Sequence, residues 1–476
     1  MSIPAWLAPG STIKRWLLVF VLGLLIIVLG IAYLFVDLYR KVHFSGWVSA
    51  YLYHATLQDI PRGLRGALFL MIGVTAIWLS LRHLNKVIVS AMSHPIGSAS
   101  NNGTTVIGAV AQQKMLLRGP RVVAVGGGTG MSLLLHGLRT YSRNLSVVVT
   151  VADDGGSSGR LRRELRILPP GDFRQCIAAL ADVEPLMADL LQHRFKRGSG
   201  LEGHTFGNLF IAAMADITGS FEKALAESSR VLAVRGRILP STLQDVTLAA
   251  ELRDQSTLEG ESVVAKGKAP IERVFLIPNG AEEGTAAAIE ANPEAVEAIR
   301  EADMIVVGPG SLYTSIMPNL LVPDIVNAIV ESHATLKVFV CNVATEPGET
   351  DGYTAVDFVQ AVERHVGYQL FDYVITNSNH SARQPEVWKS QVVRPGSRSL
   401  LPTDLQMIEC DVVDADNALR HDAPKLAQTL LDLYYDRRRR VPGHAAARRS
   451  GGFSRASLLD EEVLPPDDDG VVVGRA

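Results

Sequence analysis

Between residues 119 and 435, short and almost unbroken apolar runs alternate with stretches whose apolar positions recur every three or four residues. The runs are Val122–Val125, Val147–Val151, Val246–Leu252, Arg273–Ile277, Met304–Val307, Val338–Cys341 and Tyr373–Thr376. A strand that is apolar at consecutive positions has two faces to cover, as in a parallel sheet with helices on both sides. Regular alternation of such strands with helical stretches predicts an α/β fold, a Rossmann-like, doubly wound and mostly parallel sheet. Leu243–Lys268 breaks the rhythm. It alternates apolar and polar positions, turns, and alternates again, which predicts a strand pair inserted beside the sheet.

The flanks have different patterns. Trp16–Val36 carries no charged residue, and at about 1.5 Å per residue it matches a hydrocarbon layer of about 30 Å. It is too long for the apolar core of a cleaved signal peptide, and it runs out into VDLYRK. Gly66–Leu81 is shorter and is bracketed by Arg62, Arg65, Arg82 and Lys86, whose side chains can reach an interface. Together these runs predict a transmembrane hairpin over residues 1–90, with spans at about 16–36 and 64–82. Residues 91–118 are rich in Ser, Asn, Gly and Thr and read as a flexible linker. Residues 436–476, which include RRRR and DEEVLPPDDDG, lack the apolar content for a core and are expected to be disordered. The arginines there are either a solvated charge run or a contact for anionic lipid.

Composition narrows the function classes. A net charge of −3 gives no reason to expect a nucleic-acid partner. The three cysteines, Cys176, Cys341 and Cys410, are far apart and show no CxxC or Cys/His pairing, so neither a disulfide framework nor a zinc site is expected. Positive charges are equal on the two sides of the expected hairpin and do not orient it.

The chemistry concentrates where strands end. In Arg121–Gly137, RVVAVGGGTGMSLLLHG, an apolar run meets Gly126, Gly127, Gly128, Thr129 and Gly130, and a helical pattern follows. Bare backbone at a strand-to-helix turn lets a phosphate approach the free N–H groups of the helix N-terminus. The spacing is neither G-x-G-x-x-G nor a P-loop ending in Gly-Lys-Ser/Thr, so a nicotinamide-dependent oxidoreductase and an ATPase are both disfavoured. The construction recurs in VVGPGSL, giving Gly308, Gly310 and Ser311 as a second anion loop. Two such loops on one sheet edge suit a diphosphate or a phosphate-linked two-part ligand better than a lone phosphate. Asp153 and Asp154, in ADDGGSSGRLR, either bind ribose hydroxyls or Mg²⁺ or cap the turn. Asp172 in PPGDFRQC is a ligand contact or a helix cap, and Arg174 two residues on is a phosphate contact. His204 and Asn208 stand four apart, as on one helix face. His204 is a proton donor, a phosphate partner or a core hydrogen bonder. Asn342, Thr345, Thr376 and Asn377 end strands and face the expected crevice.

The motifs AVGGGTG, ADDGGSSGRLR, LPPGDFRQC, EGHTFGNLFIAAM, GPGSLYTSIMPNLL and CNVATEPGETDGY occur in that order. Residues 119–433 resemble the YvcK (GlmR) family, the gluconeogenesis factors, which is related to CofD, the 2-phospho-L-lactate transferase. The N-terminal apolar segment and the arginine-rich tail have no counterpart in the shorter members. The resemblance implies a CofD-like fold and a UDP-sugar ligand, UDP-N-acetylglucosamine, with Arg420 of an Arg-His-Asp motif as a diphosphate contact. It also implies a regulatory role in directing carbon toward cell-wall precursors and cell shape, through a partner enzyme of amino-sugar or cell-wall precursor synthesis, and a possible homodimer.

From the transferase relatives it implies an alternative: phosphoryl-group transfer from a nucleoside-diphosphate-linked donor with Mg²⁺, for which Asp153, Asp154 and His204 are the catalytic candidates. Because either ligand class is intracellular, the expectation is a multi-pass membrane protein with its large domain in the cytoplasm.

Overall fold

The computed structural model describes residues 116–440, except 118, 268, 281–287 and 382–388, together with eight isolated positions between 28 and 78. It divides the chain into two units, residues 1–93 and 94–476. The second unit contains β1 (Val122–Gly126), β2 (Leu145–Val149), β3 (Arg237–Pro240), β4 (Val246–Leu252), β5 (Thr257–Glu259), β6 (Ile271–Pro278), β7 (Met304–Val307), β8 (Leu336–Val340), β9 (Tyr373–Asn377) and β10 (Gln406–Cys410).

Seven strands form one sheet in the order β10-β9-β8-β7-β1-β2-β3, and all of its pairings are parallel. From β1 the chain steps outward to β3, returns to the other side of β1, and steps outward again to β10. The direction reverses between β1 and β7. A crevice opens at such a reversal, at the carboxyl ends of the strands.

The unbroken apolar runs have the expected cause. Val123, Val125, Ile305 and Val307 enter the core on one face of the sheet, and Val122, Ala124, Met304 and Val306 enter it on the other. Helices Pro293–Arg300, Pro323–Glu331 and Ala355–Val366 cover the first face, and helices Gly128–Leu138, Gly171–Leu180 and Ala423–Arg440 the second. None of these eight strand side chains is more than 2% exposed. Full burial stabilises by about 1.5–3 kcal/mol for each large aliphatic side chain, so neither face tolerates a polar residue.

The inserted sheet is larger than the expected pair. β4 pairs antiparallel with β5 and with β6, and a short helix at Glu261–Val264 follows β5. Two strands of the main sheet fall outside the expected set. β3 and β10 are its edges, and their sequences, RILP and QMIEC, carry polar residues and a proline that a central strand excludes. The last helix runs to Arg440, beyond the expected start of the tail at 436. Arg437 pairs with Asp372 at 3.0 Å and lies over the Tyr373 ring. Residues 441–476 lie outside the described residues, as does almost all of 91–118.

The expected placement as a multi-pass membrane protein is corrected. No helix among the described residues is long and apolar enough to cross a membrane. Most of 16–36 and 64–82 lies outside the described residues.

Candidate functional site

The turns after β1 and β7 meet at the reversal point. Gly308 N–H donates to Val125 O at 3.0 Å, extending the β1–β7 ladder to the mouth of the crevice. Beyond it the two backbones touch. A Cβ on Gly130 would lie 2.8 Å from the Pro309 carbonyl oxygen, so this close approach is open only to glycine. Asn319 joins the turns from below, donating to Gly126 O at 3.3 Å and to Ser315 O at 2.8 Å.

A cleft of about 360 Å³ opens above this junction. Gly127, Gly128, Thr129 and Gly130 line it from one turn, and Gly310 and Ser311 from the other. Asn342 and Thr345 line it beyond β8, and Arg420 beyond β10. Gly126 and Gly308 do not line it. Helix Gly128–Leu138 begins at the cleft with Gly127 as an N-cap that has no side-chain cap; apart from the Gly128 N–H, which Asp172 accepts, its first turn presents unspent N–H groups and the positive end of its dipole. Arg420 is exposed and, among the described residues, makes no hydrogen bond or ion pair through its guanidinium. The arrangement can hold an anion between backbone donors and a guanidinium.

Four further polar residues line this cleft: Ser315, Glu346, Ser390 and His421. His421 is buried, donates from Nε2 to Cys341 O at 3.1 Å, and is kept neutral by burial, which pulls it down to about 4. It is the histidine of the Arg-His-Asp motif that Arg420 opens, and Glu346 falls inside CNVATEPGETDGY. Both positions thus lie in motifs that the sequence displays, but neither ends a strand, the feature that marks Asn342, Thr345, Thr376 and Asn377.

Acidic groups crowd behind the first glycine turn. Asp172 occupies the first turn of helix Gly171–Leu180 and accepts the Gly128 N–H. Burial, followed by nearby Asp153, pushes its carboxyl up to about 7. Asp153 accepts the Gly155 N–H at 2.9 Å and the Ser158 hydroxyl, and burial raises its pKa. Asp154 accepts the Ser262 N–H at 2.9 Å and so ties the inserted sheet to the main domain. Both aspartates thus hold turns, and Asp154 lines a separate cleft with Arg162, Arg163 and Arg166. Glu261 lies near both, and burial raises it to about 8.

Arg174, His204 and Asn208 are bonded into one buried network outside the glycine cleft. Arg174 Nε donates to Asn208 Oδ1 at 2.9 Å, and its guanidinium also reaches Gln192. Asn208 Nδ2 donates to Ser157 Oγ at 3.1 Å, which leaves the Ser157 proton for His204 Nδ1 at 3.0 Å. Burial, then Arg160, lowers the His204 pKa, which keeps the ring a neutral acceptor. His204 and Asn208 do meet, but through Ser157 and not on a helix face. The helix begins at Phe206, after His204. Arg174, expected on a phosphate, here orients Asn208.

Thr345 Oγ1 accepts the Gln391 N–H at 2.9 Å. Asn377 Oδ1 accepts from Asn379 and Val412 beyond β9. Thr376 is buried with an unpartnered hydroxyl. Neither Thr376 nor Asn377 lines the glycine cleft.

A Rossmann-like sheet with two interlocked glycine turns at its reversal point defines the class of this domain. Residues 122–415, more than half of the chain, match the family model described as 2-phospho-L-lactate transferase CofD. A putative gluconeogenesis factor from Nostoc sp. is 44% identical over 90% of this chain and 92% of its own length. The gluconeogenesis factor of Bacillus subtilis is 46% identical over 66% of this chain and 98% of its own. A crystal structure of a Bacillus halodurans protein, 44% identical, superposes with a TM-score of 0.61 over 66% of this chain and 99% of its own. The chain belongs to the gluconeogenesis-factor (YvcK) family of CofD-like proteins.

Proposed function

We propose that this protein binds a UDP-sugar, UDP-N-acetylglucosamine, in the glycine cleft and acts as a regulator that directs carbon toward cell-wall precursors. The observation that carries this reading is the junction of the two turns. Gly127, Thr129 and Gly130 from the first turn and Ser311 from the second, the latter set beside a Gly310 that Asn342 holds, bring backbone N–H groups to one small volume, with Arg420 beside it. Donors from two loops suit two linked phosphates better than one. The partner would be an enzyme of amino-sugar or cell-wall precursor synthesis.

A second reading, phosphoryl transfer from a nucleoside-diphosphate-linked donor, draws on Asp172, a carboxyl near 7 in contact with the first glycine turn. That reading calls for Mg²⁺. Among the described residues no three His, Cys, Asp or Glu side chains converge to hold an ion. Asp153 and Asp154 already accept backbone N–H groups. The described residues do not fit a resident cation.

The test is calorimetry of the full chain against UDP-N-acetylglucosamine, UDP, GDP and NAD, followed by incubation with the tightest binder. Tight binding of the UDP-sugar without product supports the regulator. Product formation supports the transferase, and absence of UDP-sugar binding rejects the reading.

A further inference from the structure

Glu346 is the acidic residue that lines the glycine cleft. It follows β8 and is held by its own loop. Its N–H donates to Thr350 Oγ1 at 2.9 Å, and its carbonyl accepts the N–H groups of Glu349 and Thr350. Its carboxylate accepts the Ser311 hydroxyl, and this contact bridges to the second glycine turn. Its Oε2 is buried without a hydrogen-bond partner. Burial raises the pKa of this carboxyl, and a buried polar atom left unpaired is costly in either protonation state, so a partner is expected from outside the chain.

The surroundings specify that partner. Glu349, behind Glu346, takes the Thr314 hydroxyl at 3.2 Å, and its other oxygen is also unpartnered. Burial, then Glu346 itself, raises Glu349 to about 8. No guanidinium or ammonium is bonded to either carboxyl. A phosphate brought to this end would meet two carboxyls and no cation. The acidic end therefore rejects the diphosphate and accepts a neutral group rich in O–H or N–H donors.

We infer that Glu346 selects the glycosyl part of the ligand: its Oε2 accepts a hydroxyl or amide N–H of the sugar, while the diphosphate occupies the glycine turns. This rests on the sugar-nucleotide reading above. It makes Glu346 the residue that distinguishes a UDP-sugar from UDP.

The experiment is calorimetry of the full chain with UDP and with UDP-N-acetylglucosamine, in EDTA and in Mg²⁺, for wild type, Glu346→Ala and Glu346→Gln. Wild type should bind the sugar nucleotide more tightly than UDP. Glu346→Ala should lose at least tenfold for the sugar nucleotide and stay within about twofold for UDP. Glu346→Gln keeps the shape and one acceptor, so it should fall between them, and it carries the test if the alanine variant does not fold. Equal losses for both ligands, or no loss for the sugar nucleotide, would overturn the assignment. A loss confined to Mg²⁺ buffer would also overturn it, making Glu346 a metal ligand. Failure of wild type to bind either ligand would remove the sugar-nucleotide reading itself, a result separate from any effect of Glu346.

Discussion

Asn342 holds Gly310 at both polar atoms of its backbone. Oδ1 accepts the Gly310 N–H at 3.0 Å, and Nδ2 donates to the Gly310 carbonyl at 2.9 Å. A strand-end side chain thus fixes the second glycine turn before any ligand arrives, so the ordering cost of that turn is met on folding and not on binding.

Replacing Asn342 by Ala should free the turn. Two hydrogen bonds at about 1 kcal/mol each predict a stability loss of about 1–2 kcal/mol in urea unfolding. Affinity for UDP-N-acetylglucosamine should fall about tenfold in calorimetry. Unchanged affinity in the destabilised variant would show that the turn does not need Asn342 to hold ligand.

Gly130→Ala tests the contact between the turns. The added methyl meets the Pro309 backbone, which cannot swing aside as a side chain would. Overpacking of this kind costs typically 1–3 kcal/mol and should push the two turns apart. The expected result is a folded, destabilised protein with at least a tenfold loss of sugar-nucleotide affinity. A variant that binds like wild type would place the ligand elsewhere.

Much of this architecture was legible in the sequence because the central strands obey one physical demand. VVAV and MIVV are buried on both faces, so burial alone determines their composition. RILP and QMIEC answer to several demands at once, as edge strands with one free side, and their pattern is correspondingly weak. The glycine turns were legible for the same reason as the central strands, since only glycine permits the Gly130–Pro309 approach. The roles of Arg174 and His204 were not. An arginine that holds a phosphate and one that holds a buried asparagine have the same local sequence, and only the fold shows that Asn208 and Ser157 lie between them.

That network predicts a stability effect larger than any one of its bonds. Asn208→Leu strips Arg174 Nε of its acceptor and Ser157 of its donor, and the new side chain satisfies neither. A buried group left unpaired costs about 1–3 kcal/mol, and more when it is charged. The variant should therefore lose on the order of 2–5 kcal/mol in chemical denaturation. Ser157→Ala, which disturbs only neutral partners, should lose less. Equal and small losses would mean that solvent replaces the missing partners.

Asp172 predicts how stability follows pH. Its carboxyl ordinarily titrates near 3.8 and is raised to about 7 in the folded chain, by burial first and Asp153 second. Between those values the folded protein holds a proton that the unfolded chain has released. Stability then falls as pH rises, because the folded state binds more protons. The contribution is fully present below about 4 and is lost as pH passes through about 7, on the order of a few kcal/mol. Asp172→Asn keeps the shape and removes the titration. The melting temperature of wild type should drop between pH 5 and 8, and that of the variant should drop less, so the variant gains on wild type toward alkaline pH. Glu261 and Glu349, both raised to about 8, leave the variant a residual slope of the same sign. Parallel curves would show that Asp172 is ionised in the folded protein throughout this range, and that the acidic wall is neutralised by something other than protons.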